Sequence, residues 1–398
     1  MRICAVSSFP PTLAGVADYG AHLADRLSND ARVECVTVLA DNARHAPGRE
    51  RLGNVDVRRV WDIDSCRSGP QLLRNIHALR PDVVWFNLGL SMFGTRLSPA
   101  ASGLLTPRVT RWLGYRTVVT LHELPALTNL GALGVRSRRQ HLGVSQLPRL
   151  LLGSDLVVVT LGRYRRHLME RYGARNVWHI ALGAYGEPRW SAEPQQETVL
   201  VFGTFGPHKD PGVVAEAIER LRRRRPGIQL IVAGADHPRY PGFMAACRRR
   251  HHLNGSWIGY VPADRLAALF ARATVVVVPP CASTGSSGVI YRAMSHGRAV
   301  LASDLLDYRA LAQEENLDLA WFEPASPDAL AGALEALLDD RTRRRQMVSH
   351  NLAAMRRLGP ARTVDAYLAG FAQRHATIPA PRPFTAGDAI GGLEAAEG

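Results

Sequence analysis

Lys209 is the only lysine among the 49 Lys and Arg residues of the chain. It stands in VFGTFGPHKD (201–210), where an apolar run ends in Gly203, a short glycine-containing stretch follows and a helical pattern begins. Loop amides with one ammonium form a cradle for phosphate. In a chain so biased to arginine, a lone lysine points to a need for a compact cation. A second candidate is PPCASTGSSGVIYRAM (279–294), a small polar loop between a buried strand and a helix. Ser286, Ser287 and Gly288 offer hydroxyls and amides at that helix start, which suits an anion. A simple helix cap by either serine accounts for the same residues. A third is His122, beside Glu123 at the end of the strand-like run 117–121. An imidazole there can position a substrate hydroxyl or move a proton. Gly15, at the start of the 16–27 helical pattern, would let an anion approach helix amides. No G-x-G-x-x-G accompanies it, so a dinucleotide fingerprint is not supported.

Other chemistry-bearing residues read as structural. Asp62 and Asp64 have the spacing of a metal-binding D-x-D, but a single such pair is weak, and no metal is expected. His251 and His252 follow Arg248–Arg250 at a helix end, where the helix dipole favours cations. The five cysteines form no C-x-x-C pair. Scattered and mostly in strand-like runs, they read as reduced and buried.

Elements that would hold these loops alternate along the chain. Strand-like runs at 3–7, 33–40, 55–61, 83–87, 117–121, 156–160 and 178–182 are interleaved with helical patterns at 16–27 and 72–79. Residues 186–198 (GEPRWSAEPQQET) are polar, carry prolines and read as a linker. Alternation restarts with strands at 199–203, 229–233, 257–260, 275–279 and 299–303, separated by helices, and three more helical segments run from 327 to 374. Continuous apolar strands between helices predict parallel sheets covered on both faces. The expected fold class is therefore α/β: a doubly wound domain over 1–185, a linker over 186–198, a second doubly wound domain with C-terminal helices over 199–375, and a frayed tail over 376–398. Ligands of such sheets sit beyond the carboxyl ends of the strands, where the candidate loops lie.

Composition narrows the class. At 398 residues, roughly 150 per domain predicts two or three domains. Hydrophobic residues make up 46% and charged residues 21%, which excludes general disorder. No apolar run reaches the roughly 18 residues of a membrane span, and the N-terminus lacks a secretory pattern, so a cytoplasmic protein is expected. The net charge of +14 suggests nucleic acid, but a GC-rich, bacterial-type arginine bias explains much of it and no basic–aromatic motif is present. The basic stretch RSRRQHLGVSQLPRLLL (136–152) and the apolar run LGLSMF (88–93) could together meet an anionic membrane surface.

Together these segments resemble glycosyltransferase family 4, of the GT-B fold: two Rossmann-like domains facing each other across a cleft. The resemblance covers about residues 1–370. It is most specific in VLVFGTFGPHKDPGVVAEAIERL, LIVAGADHP, WIGYVPADRLAALFARATVVVVPP and AMSHGRAVLASDL, and looser in Gly15 with Tyr19 and in TLHE. It implies transfer of a sugar from a nucleotide-sugar, UDP- or GDP-linked, to an acceptor hydroxyl, with retention and with no cofactor or metal beyond the donor. It implies that Lys209 contacts the donor diphosphate, that His122 faces the donor sugar, and that Gly15 and Gly203 admit the diphosphate. Tyr260 and Val261 would lie near the base, and Ser286, Ser287, Gly288 and Val289 would line the sugar and diphosphate. Three positions depart from the family pattern: Thr204 stands where an arginine is common, and Thr284 and Arg292 stand where many members carry two glutamates. The resemblance therefore implies a divergent branch. A catalytically degenerate GT-B partner protein and a sugar-nucleotide epimerase of the same fold are the alternatives.

Overall fold

The computed structural model describes residues 1–43, 46–128, 130–131, 138–251, 255–283 and 285–373, and the backbone alone for 138–143. Within them, β1 (Arg2–Val6), β2 (Cys35–Asp41), β3 (Arg49–Leu52), β4 (Val55–Trp61), β5 (Val83–Leu88), β6 (Arg116–Leu121), β7 (Leu156–Val159) and β8 (Val177–His179) form one sheet. Its order is β3-β4-β2-β1-β5-β6-β7-β8. A second sheet holds β9 (Thr198–Phe205), β10 (Gln229–Asp236), β11 (Ser256–Ile258), β12 (Val275–Val278), β13 (Ala299–Ser303) and β14 (Ala320–Phe322), in the order β11-β10-β9-β12-β13-β14. Every pairing is parallel except β3 with β4. The central strands, such as VVWFN in β5 and VVVV in β12, are buried on both faces, as uninterrupted apolar runs require.

Several elements differ from expectation. The run 178–182 supplies only a three-residue strand, Val177–His179. β9 does not end at Gly203 but continues to Phe205. Residues 88–93 are not a surface loop: Leu88, Met92 and Phe93 are buried, and the Phe93 ring lies 4.9 Å from Trp61. β3 went unseen because RERL is mostly exposed and lacks apolar alternation. Only Cys4 and Cys247 are buried, while Cys35, Cys66 and Cys281 are exposed; all five are free. Asp64 accepts from the amides of Thr95 and Arg96, and Asp62 accepts from Asn42, so both work as loop fasteners.

The last helix, Pro360–Ala372, leaves the second sheet and packs on the first domain. The Tyr367 hydroxyl meets Thr120 of β6 at 2.8 Å and Tyr19 at 3.2 Å, and Arg116 donates to the Gly370 carbonyl. The expected second domain over 199–375 thus differs from the observed packing in its final helix. The linker is also held: the buried Arg298 guanidinium bonds the Ala192 carbonyl and Ser191. The end of the 136–152 segment is the helix Arg138–Leu151; its start, His252 and the tail over 376–398 lie outside the described residues.

Candidate functional site

A cleft of about 970 Å³ runs between the two domains and is lined by the loops beyond the carboxyl ends of their strands. Among the described residues it gathers Gly15, His122, Gly203, Thr204, Lys209, Tyr260, Val261, Ser286, Ser287, Gly288, Val289 and Arg292. Thr284 lies outside the described residues.

Two helices point their amino ends into this space. The helix Gly15–Ser28 has Ala14 at its N-cap, and the helix Gly288–Ser295 has Ser287; neither N-cap side chain accepts from the helix amides. The serines are occupied elsewhere. Ser286 donates to the Thr160 carbonyl of the first domain at 2.9 Å, and Ser287 bonds the Tyr308 phenol. The helix-cap explanation of these serines therefore fails, and open amides remain at both helix starts.

Lys209 completes the cradle. A tight turn, with Lys209 N–H donating to the Gly206 carbonyl at 2.9 Å, folds the side chain back over Gly203. A Cβ on Gly203 would strike Lys209 Nζ, and its φ of +134° suits glycine. On β10, Gly234 (φ +144°) packs against the Gly203 carbonyl with no room for a side chain. Among the described residues no carboxylate pairs with Lys209, and burial lowers its pKa to about 8. A half-buried cation without a counterion is electrostatically unsatisfied, and an anion in the cleft would relieve it.

His122 is held as a neutral ring. Asn87 donates from Nδ2 to Ser7 Oγ and to the Val16 carbonyl, both at 2.9 Å, which leaves Asn87 Oδ1 as the acceptor for His122 Nε2 at 2.6 Å. Nε2 therefore carries the proton and Nδ1 is the free acceptor. Burial lowers the pKa to about 4, so the ring stays neutral from pH 5 upward. The sign follows: the folded state resists protonation between pH 6.5 and about 4, and this group withdraws stability as pH falls through that window. Beside it, Glu123 accepts from Leu90 N–H at 3.2 Å, and burial raises its pKa.

Tyr260 is 61% exposed and Val261 is buried on the second-domain wall, together with Phe202 and Leu266. Arg292 faces across the cleft. Its guanidinium bonds Asp18 Oδ2 at 2.5 Å and lies 3.9 Å from the Tyr185 ring centroid.

Residues missed in the sequence bind the two domains together. Buried Asp307 accepts from Arg163 Nη1 at 2.6 Å, from the Tyr164 hydroxyl at 2.8 Å and from Gly285 N–H at 2.9 Å. Glu314 accepts from Gly162 N–H at 2.6 Å at the start of the helix Gly162–Tyr172. Gly285 has φ +90°, and any side chain there would run into the His122 carbonyl. We predict that Gly285→Ala displaces the 285–288 loop and weakens ligand binding in the cleft at least tenfold while the two sheets stay folded. Titration calorimetry beside far-UV circular dichroism checks this; unchanged affinity would refute it.

Residues 196–340 match the family model described as "Glycosyl transferases group 1". A phosphatidyl-myo-inositol mannosyltransferase of Mycobacterium tuberculosis is 30% identical over 170 residues, 41% of this chain and 43% of that protein. The match thus spans less than half the length of that relative. Among solved structures, sucrose-phosphate synthase from Thermosynechococcus elongatus superposes with a TM-score of 0.72 at 16% identity, covering 93% of this chain and 97% of that one. Anabaena HepE in complex with UDP and glucose superposes with a TM-score of 0.67 at 16% identity, over 93% and 98%. Two sheets facing across a cleft and these superpositions identify the fold as GT-B, and residues 196–340 are similar to the glycosyl transferases group 1 family.

Proposed function

We propose that the chain is a glycosyltransferase that moves a sugar from a nucleoside-diphosphate donor to an acceptor hydroxyl. The observation that carries this reading is the unpaired Lys209 ammonium in a cleft onto which two uncapped helix starts open. Breaking the anomeric C–O bond sends its electron pair to the diphosphate, and these groups stabilise that charge where it develops. The acceptor hydroxyl forms the new C–O bond, and its proton leaves with the diphosphate. Lys209 and the helix amides carry the charge in this scheme, so it runs without a divalent cation and without a covalent enzyme intermediate. We assign retention of configuration by likeness to the family. His122 Nδ1 accepts from a donor-sugar hydroxyl, and Tyr260 and Val261 flank the base. A UDP-linked donor is supported by the UDP complex of HepE, and a mannosyl donor by the mannosyltransferase relative.

Peripheral contact with an anionic membrane belongs to the same reading. Residues 83–154 carry eight arginines and one acid, Glu123. The helix Thr106–Trp112 and the residue after it expose Trp112 (87%) and Leu113 (54%) beside Arg108 and Arg111. Exposed apolar anchors beside Arg108, with Arg111 held by Asp155 at 3.0 Å, suit anionic headgroups.

A thermal-shift panel of UDP, GDP, dTDP, ADP and their sugar conjugates tests the function, followed by product analysis with EDTA present. One nucleotide family should stabilise the protein, by about 2.7 kcal/mol at a hundred times its Kd. Release of diphosphate coupled to a new glycoside supports transfer. Rearranged donor without acceptor would favour the epimerase. Arg292, held by Asp18 and Tyr185 where many family members carry a carboxylate, favours a non-catalytic partner, which would bind the donor without turnover or not bind it at all.

A further inference from the structure

We infer that the first-domain wall of the cleft takes an acceptor whose hydroxyl sits beside an uncharged, apolar body. This rests on the transferase reading above. The wall is built from Pro11, Leu13, Leu52, Ile63, Leu90 and Met92. Leu52 and Ile63 are 45% and 51% exposed, so the mouth of the cleft holds large aliphatic side chains in water. Apolar surface at that position is stabilised when a ligand covers it.

The charges on this wall argue the same way. Among the described residues the first domain lines the cleft with four carboxylates, and each already has a partner. Asp18 is bonded by Arg292, Glu50 by the buried Arg59 at 2.8 Å, Asp64 by two amides, and Glu123 by Leu90 N–H. Asp18 and Glu50 are neutralised by guanidinium groups, and Asp64 and Glu123 are engaged by backbone amides, which weakens the wall's pull on an amine. Among the described residues, the first domain also contributes no lysine or arginine to the lining, and His122 is neutral. A phosphorylated or carboxylated acceptor would find no cation on this wall. Arg59 makes the wall rigid: it donates to the Pro10 carbonyl at 2.5 Å and to the Asp41 carbonyl at 3.0 Å, tying the loop after β1 to β2 and β3. The antiparallel strand β3 places Leu52 at the rim, which gives that strand a purpose.

Calorimetric titration of the full chain with hexyl, heptyl and octyl glucoside, each below its aggregation threshold, tests the inference. Affinity should rise with each added methylene, up to about fourfold per group when it is fully buried. Glucose and glucose 6-phosphate should bind at least tenfold more weakly than octyl glucoside. Leu52→Asp and Ile63→Asp should each flatten the chain-length dependence while nucleoside-diphosphate affinity stays within twofold. A flat series in the wild type, or tighter binding of glucose 6-phosphate, would overturn the inference. Lys209→Ala separates the two readings: it removes nucleotide binding and leaves the alkyl series intact. If no nucleotide binds the wild type, the transferase reading falls alone, since the alkyl series is also read without nucleotide. Co-sedimentation with phosphatidylglycerol vesicles then distinguishes an acceptor drawn from a bilayer from a free hydrophobic aglycone; both keep the apolar acceptor.

Discussion

Lys209→Ala is expected to weaken nucleoside-diphosphate binding about ten- to a hundredfold, the value of one or two hydrogen bonds to a charged group. Transfer should fall further, by about 10²–10³ in kcat, because the ammonium meets most charge in the transition state. Lys209→Arg should recover little, since a planar guanidinium does not reproduce the compact ammonium that lies over Gly203. The pH dependence carries a separate signature. With a pKa of about 8 in the free protein, the amine loses its proton as pH rises above 8, and donor affinity should fall about tenfold per unit until the pKa of the complex is reached. The sign for stability is opposite. The unfolded chain holds this proton up to about pH 10.5, so between pH 8 and 10.5 the unfolded state binds more protons and folding gains from alkali at this site. Titration calorimetry at pH 7, 8, 9 and 10 on wild type and Lys209→Ala separates the two. A wild-type profile as flat as that of the mutant would remove Lys209 from the site.

Asp307→Ala should cause the largest loss of stability of any single substitution considered. Its carboxylate is buried and answers a guanidinium, a phenol and an amide at once, two of them from the other domain. Removing one partner of such a cluster costs about 3–5 kcal/mol, and the low end applies because the Arg163 side chain keeps 18% of its exposure. Asp307→Asn retains an acceptor for Tyr164 and Gly285 and should lose less than half as much. Urea unfolding gives the midpoints, and Asp307→Ala should also weaken donor binding by freeing Gly285. A double substitution with Arg163→Met, which removes the stranded charge, should be less harmful than the sum of the two single changes.

The parts legible in the sequence were local. Lys209 stood out against 48 arginines, Gly15 marked a helix start, and runs such as VVVV identified buried strands. Asp307 was illegible because its partners lie 143 and 144 residues away and its own neighbourhood, DLLDYRA, reads as an ordinary amphipathic helix. The apolar run 88–93 carries the same residue types whether it faces lipid or core, and only the contact with Trp61 decides. Serines at a helix start suggest a cap, yet Ser286 turned to the Thr160 carbonyl because the first domain supplies that partner. The final helix kept its 3.6-residue period, but periodicity does not say which domain receives the apolar face.

That returning helix has a practical consequence for recombining such proteins. The natural unit of exchange is not everything after the linker but the stretch between about residues 186 and 359, with Pro360–Ala372 left behind on its host. A chimaera cut once, at the linker, would import a foreign helix against Tyr19, Thr120 and Arg116 and would have to rebuild that seam. A chimaera cut twice leaves it untouched, so the second sheet and its cleft loops can be swapped as an insert.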